Sequence, residues 1–208
     1  MYKKTTVTAA FFVVSFALLA FFTLTGRMDN FNYSVTAWVY GLENAPLTVI
    51  LKIITNAGEW FVYVPLALIM VAVPKLRLKY GIPALTTLTI SAGLNNILKL
   101  CFAVPRPDTH RLIAETGYGF PSGHAMNGAA FIGICVLLFL RYSVSKAHKL
   151  IILLSAALFM AAVGFSRVYL GVHNPTDIIA GYAMGLFLCQ CAAFMCENFY
   201  NHNNKNLK

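Results

Sequence analysis

Charge is scarce in this chain. Only 11% of its 208 residues are Asp, Glu, Lys or Arg, against about 25% in a soluble globular domain. Acidic residues are the scarcest, seven against sixteen basic ones. With 59% hydrophobic residues and a mean hydropathy of +0.69, the chain has too little polar surface to cover a water-soluble fold. The composition reads as an integral membrane protein. A basic face or tail is also missing. The net charge of +9 is spread as single residues and short groups between long apolar runs. That pattern excludes nucleic acid as a partner and reads as a topology signal. Cys-x-x-Cys pairs and histidine arrays are absent. The five cysteines (Cys101, Cys135, Cys189, Cys191 and Cys196) lie almost entirely in apolar segments and read as small packing residues. Neither a zinc site nor a structural disulfide is indicated. No internal repeat, low-complexity tract or linker occurs, so residues 1–208 read as a single domain.

Apolar runs are what the chain has in abundance. Six of them, near 7–25, 58–74, 82–103, 123–140, 150–168 and 176–196, approach the roughly 20 residues that cross a bilayer. The expected fold class is all-α: a polytopic membrane protein with six transmembrane helices and short interfacial helices in the first outer loop. Lys3 and Lys4 precede the first run as they would in a signal peptide. That run exceeds the roughly 7–15 residues of a signal core, and no A-x-A-type site follows, so it reads as a retained helix. Residues 26–57 are apolar but broken by Gly41, Asn44, Pro46 and Asn56–Gly58. Two short helices lying in the interface fit them, with Trp38, Tyr40, Trp60 and Tyr63 at headgroup depth. The other reading extends the second crossing back through part of 47–57.

Lysine and arginine placement sets the orientation. With the N-terminus in the cytoplasm, the inner segments hold Lys3/Lys4, Lys75/Arg77/Lys79, Arg141/Lys146/Lys149 and Lys205/Lys208, ten of the sixteen basic residues. Six of the seven acidic residues then lie outside, with Glu197 alone inside. Both termini are expected in the cytoplasm of a cell-membrane protein.

On this topology the polar residues gather at the outer helix ends. Lys99 lies near the end of the third helix, and Arg106-Pro107-Asp108 follows in the loop. Ser122-Gly123-His124 opens the fourth helix, Ser166-Arg167 closes the fifth, His173 lies in the loop beyond, and Asp177 falls in the first turn of the sixth. Three cations, a helix N-terminus and two histidines suit phosphoryl transfer without a metal or other cofactor. Lys99, Arg106 and Arg167 can neutralise a phosphate dianion, the arginines by bidentate contacts. The free N–H groups of the fourth helix add an anion site, Gly123 allows close approach, and the Ser122 hydroxyl adds a donor. One histidine can attack phosphorus while the other protonates the leaving oxygen. Asp177, four residues after His173, can hold that imidazole in its attacking tautomer.

The spacing Lys99-x6-Arg106-Pro107, Pro121-Ser122-Gly123-His124 and Ser166-Arg167-x5-His173-x3-Asp177 resembles the three-part signature of the type-2 phosphatidic-acid phosphatase superfamily. Every signature position is filled. That group contains lipid phosphate phosphatases, and the soluble vanadium haloperoxidases share its site. The resemblance implies His173 as the nucleophile that forms a phosphohistidine, Asp177 as its orienting carboxylate and His124 as the general acid. It implies Lys99, Arg106, Ser122, Gly123 and Arg167 as the phosphate cradle. Phe120-Pro-Ser-Gly-His followed by Ala-Met-Asn looks most like bacterial phosphatidylglycerophosphate phosphatases of the B type. Phosphatidylglycerophosphate and undecaprenyl pyrophosphate are then the leading substrates. Phosphatidic acid, diacylglycerol pyrophosphate and a lipid A phosphate stand behind them. A lipid carrier or scramblase would suit the membrane but needs no His–Asp pair beside a cationic cradle. A haloperoxidase would be soluble and larger.

Other polar residues admit two readings. Asp108, His110 and Arg111 share the outer loop and would touch substrate or only solvent. Glu59 heads the second helix, as a headgroup contact or a plain interfacial carboxylate. Asn95 and Asn96 fit interhelical hydrogen bonds. His148 and His202 fall on the cytoplasmic side. A lipid tail is expected to reach the site sideways, near the second and third helices and the interfacial segment.

Overall fold

A computed structural model describes residues 2–142 and 146–205. Lys208 lies outside them, and the side chains of Lys3, Lys4, Lys146, His202 and Lys205 are likewise outside the description. All regular structure among the described residues is helical. In chain order the helices are α1 (Tyr2–Leu24), α2 (Asp29–Tyr40), α3 (Ala45–Ala57), α4 (Trp60–Ala72) and α5 (Pro74–Leu76). A π-helical turn (Arg77–Gly81) leads into α6 (Ile82–Phe102), followed by α7 (Gly123–Tyr142), α8 (Lys146–Tyr169) and α9 (Pro175–Lys205).

Among the described residues, five stretches are long and apolar enough to cross a membrane: Thr6–Leu24, Ala45–Ala72, Gly123–Tyr142, His148–Tyr169 and Pro175–Asn198. Two differences from the expected six follow. Helix α6 is long enough at 21 residues, but Thr86, Thr87, Thr89, Ser91, Asn95, Asn96 and Lys99 dilute its apolar character. Helix α4 has only 13 residues, about 20 Å at 1.5 Å per residue, too short for a hydrocarbon core of about 30 Å. The sufficient stretch is the 28-residue Ala45–Ala72, in which α3 and α4 follow one another across Gly58 and Glu59. Local chemistry explains the break. Asn44 caps α3, its side chain accepting from Leu47 N at 3.0 Å, and the Glu59 side chain caps α4 by accepting from Trp60 N.

Helices α7 and α9 form the central seam. Gly181 and Gly185 let α9 lie directly on the α7 backbone: a Cβ at 181 would sit 2.7 Å from Ser122 O, and one at 185 would sit 2.3 Å from Met126 O. Around the seam, Phe16, Ala20, Phe120, Met126 and Met184 join α1 to it, while Tyr63, Leu88, Phe131 and Ile134 join α4 and α6. Outward faces stay apolar, with Phe11, Leu18 and Phe21 of α1 and Leu150, Leu154 and Leu158 of α8 exposed. Gly185→Leu is expected to destabilise the fold by about 3 kcal/mol, because a backbone carbonyl cannot step aside as a side chain can. A lowered Tm in detergent checks this.

Candidate active site

The segment between α6 and α7 and the short turn between α8 and α9 meet at one end of the bundle. Ser122 N donates to Asp177 O at 3.0 Å, joining the start of α7 to the start of α9, and the Phe120–Pro121 peptide bond is cis. Helix α9 begins as its sequence requires. Pro175 takes the first helical position, and Asp177 in the first turn reaches back to accept from Asn174 N at 2.9 Å, a capping arrangement. The same Oδ2 stands 3.2 Å from His173 Nδ1. On the far side of the ring, Arg106 Nη1 lies 3.1 Å from His173 Nε2 and also donates to Val172 O at 2.9 Å. A guanidinium can only donate. Nε2 must therefore accept, the ring proton must sit on Nδ1 facing Asp177, and the Nε2 lone pair points at the cationic cluster.

Burial depresses the His173 pKa well below its usual 6.5, and the Arg106, Arg167 and Lys99 charges push it in the same direction. The neutral ring is thus favoured when folded, and the fraction able to act as a nucleophile stays high as pH falls through 6.5. Nitrogen-15 NMR of the histidine rings is expected to show His173 neutral at pH 6. Imidazolium shifts there would contradict this arrangement.

A cavity of about 290 Å³ opens over these groups. Lys99, Arg106, Gly123, His124, Arg167 and His173 line it, so six of the eight sequence-derived site residues share one space. Asp177 and Ser122 are buried beside it. Lys99 Nζ donates to Tyr118 O at 2.7 Å, and Arg106 Nε donates to Gly117 O at 3.2 Å. Arg167 is 1% exposed, and its Nη1 donates to Thr55 Oγ1 at 3.0 Å. Two donors of the cradle, Arg167 Nε and Ser122 Oγ, are buried without a protein partner. Buried donors are rarely left unpaired, and these two stand among three cations.

Several residues here escaped sequence reasoning. Glu115 of the loop pairs with both arginines, its Oε2 3.6 Å from Arg106 Nη2 and its Oε1 on Arg167 Nη2. Thr55, Trp60 and Asn127 also belong to the site. Asn32 of α2 exchanges two hydrogen bonds with Thr176, fastening α2 to α9. Of the residues with two readings, Asn95 donates to Pro121 O at 3.2 Å and supports the motif loop. His110 stacks on Tyr40 and faces Glu43, and Arg111 donates to Pro107 O, so neither is among the cavity's lining residues. Glu59 is among them.

Residues 80–200 match the PAP2 superfamily, a span that holds all eight site residues. The chain belongs to that superfamily. The PAP2 segment here supplies α6 to α9 and the loops between them, whereas Asn32, Thr55 and Glu59 come from outside it. One relative, a phosphatidylglycerophosphatase B of Bacillus subtilis, is 39% identical over 97 residues, 46% of this chain and 47% of that protein. The matched part is thus about half the length of that relative. An undecaprenyl-diphosphatase of Sulfolobus acidocaldarius is 28% identical over 179 residues, 82% of each chain. Among solved structures, the transmembrane PAP2-type phosphatidylglycerolphosphate phosphatase of Bacillus subtilis superposes with a TM-score of 0.83. It is 26% identical, with 94% of this chain and 96% of that one covered. Aquifex aeolicus LpxE shares the fold at a TM-score of 0.62 and 23% identity, over 78% of this chain and 94% of that one.

Proposed function

We propose that this PAP2 protein hydrolyses a phosphomonoester or pyrophosphate on a membrane lipid at the outer leaflet, without a metal, through a phosphohistidine. The observation that carries this reading is the pair of unpartnered buried donors beside three cations, facing a histidine whose ring proton is held on Nδ1 by Asp177 and whose Nε2 lone pair faces Arg106. His173 Nε2 attacks phosphorus as the bond to the leaving oxygen breaks, and His124 gives that oxygen its proton. Water then attacks the phosphohistidine, returns a proton to His124 and releases phosphate. Lys99, Arg106, Arg167, Ser122 and the N-terminus of α7 at Gly123 hold the phosphoryl oxygens. No cofactor is needed for these steps.

The placement follows from charge. Lys79 Nζ stands 4.8 Å from the Tyr142 ring, so the basic turn after α4 and the end of α7 share one side. The cavity lies at the opposite ends of α6 and α7. With that basic side cytoplasmic, both termini are inside and the site is outside. Helix α6 makes the sixth crossing: Ser91 Oγ donates to Asn127 Oδ1 of α7 at 2.7 Å, Thr87 and Asn95 are buried with it, and the exposed Thr89 hydroxyl donates to Leu85 O of its own helix. Helix α2 and the start of α3 lie along the outer interface, and the rest of α3 leads through the break into the second crossing with α4. The lipid tail approaches between α4 and α6, next to the break after α3.

The two substrates of the named relatives, phosphatidylglycerophosphate and undecaprenyl pyrophosphate, are the first to try. Phosphatidic acid, diacylglycerol pyrophosphate and lipid A phosphate come next. Phosphate release by the protein purified in detergent tests the reading. Release from either lipid, undiminished by EDTA, is the expected result. Inhibition by EDTA that a divalent metal reverses would overturn the metal-free scheme. Lipid movement across vesicles with no hydrolysis of any lipid phosphate would favour a carrier.

A further inference from the structure

The cavity contains a second carboxylate–histidine contact that the proposed mechanism does not use. Glu59 Oε1 lies 2.9 Å from His124 Nε2, with the histidine side chain 10% exposed and the glutamate side chain 25% exposed. The other oxygen of Glu59 accepts from Trp60 N at 3.3 Å, at the start of α4. One carboxylate thus spans from a helix N-terminus to the imidazole. Asp177 does the same for His173, between Asn174 N and the ring. The Glu59 backbone is extended, at φ −89° and ψ 159°, because the chain breaks between α3 and α4. Arg167 holds the last turn of α3 through Thr55, so the break is tied to the site on its other side as well.

We propose that Glu59 is a positioning residue for His124, holding the ring in place among the surrounding cations so that its imidazolium can donate to the leaving oxygen. The inference rests on the phosphatase reading above. The groups facing His124 across the cavity are Glu59, Lys99, Arg106, Glu115, Arg167 and His173. The three permanent or ordinary cations among them repel an imidazolium. Glu59 is the carboxylate in contact with the ring, whereas Glu115 is engaged with Arg106 and Arg167. The proton bookkeeping is simple. With Nε2 beside the Glu59 carboxylate, the imidazolium gives its other proton to the leaving oxygen as the P–O bond breaks, and the ring stays neutral beside Glu59 until water returns a proton in the second step.

The dependence on leaving group follows. An alkoxide leaving group is strongly basic and needs the proton, whereas a nitrophenolate does not. With the full chain in detergent, Glu59→Gln is expected to lower kcat on phosphatidylglycerophosphate about 30-fold, with KM within about twofold. On p-nitrophenyl phosphate the loss should be at least fivefold smaller. On the lipid substrate the alkaline limb of the pH profile should move to lower pH. In a His124→Ala background, Glu59→Gln should add less than a further twofold, since a residue acting only through the ring has nothing left to act on. Glu59→Asp should recover part of the rate, and it carries the same leaving-group comparison if Glu59→Gln does not fold. Equal losses on both leaving groups, or losses that multiply fully with those of His124→Ala, would overturn the proposal. A wild-type protein that hydrolyses neither substrate would instead sink the phosphatase reading beneath it.

Discussion

His173→Ala is expected to abolish phosphate release, by a factor on the order of 10⁴ or more, while leaving phosphate bound. In the proposed mechanism the imidazole supplies the attacking lone pair and little of the cradle. Lys99, Arg106, Arg167 and the start of α7 remain. Trp60 lines the cavity and is one of only two tryptophans, so a fluorescence change on adding inorganic phosphate reads binding separately from turnover. The expected outcome is a preserved fluorescence titration with no product. Turnover within tenfold of wild type would remove His173 as the nucleophile.

Arg167→Ala is expected to fail in the other way, losing binding and turnover together, about 10³-fold in kcat/KM. Its guanidinium is almost wholly buried and holds Thr55, Glu115 and an unpaired Nε–H at once. Removing it leaves Glu115 facing one arginine instead of two. Arg167→Lys keeps the charge but not the fork, and should recover no more than about a tenth of the lost rate. The fluorescence titration and the kinetics should move together. A variant that binds phosphate normally yet turns over slowly would take Arg167 out of the cradle.

The residues that were legible in the sequence share a physical circumstance. Lys99, Arg106, Ser122, Gly123, His124, Arg167, His173 and Asp177 all sit at the ends of long apolar runs, where a polar residue stands out and local spacing decides what can meet. Helix positions were legible for the same reason: runs at 123–140 and 150–168 became Gly123–Tyr142 and Lys146–Tyr169. Helix α6 shows the limit of hydropathy, since Ser91 and Asn95 serve partners in the bundle and Thr87 and Thr89 bond back to their own helix. The α3–α4 break shows another. Gly58 and Glu59 read as the start of a crossing, and only the fold reveals an apolar stretch of 28 residues interrupted beside the site. Glu59 meets His124, and Glu115 and Thr55 meet Arg167, from far along the chain. No local period or motif announces such pairings, because they depend on where a loop or a helix break comes to rest.

Under the proposed function, the Glu115 bridge between Arg106 and Arg167 would have a kinetic consequence. A cradle of bare cations would attract lipid phosphate strongly and release free phosphate slowly. Here the arriving anion exchanges with a tethered one, and the change in charge on occupation is smaller than three cations alone would suggest. Affinity should accordingly vary less with ionic strength than at an open cationic site. After hydrolysis the tethered carboxylate competes for the arginines at a high effective concentration, set by its loop rather than by the medium. If the site makes phosphate as proposed, that product is displaced by a rival that never diffuses away, and the site would resist stalling on it.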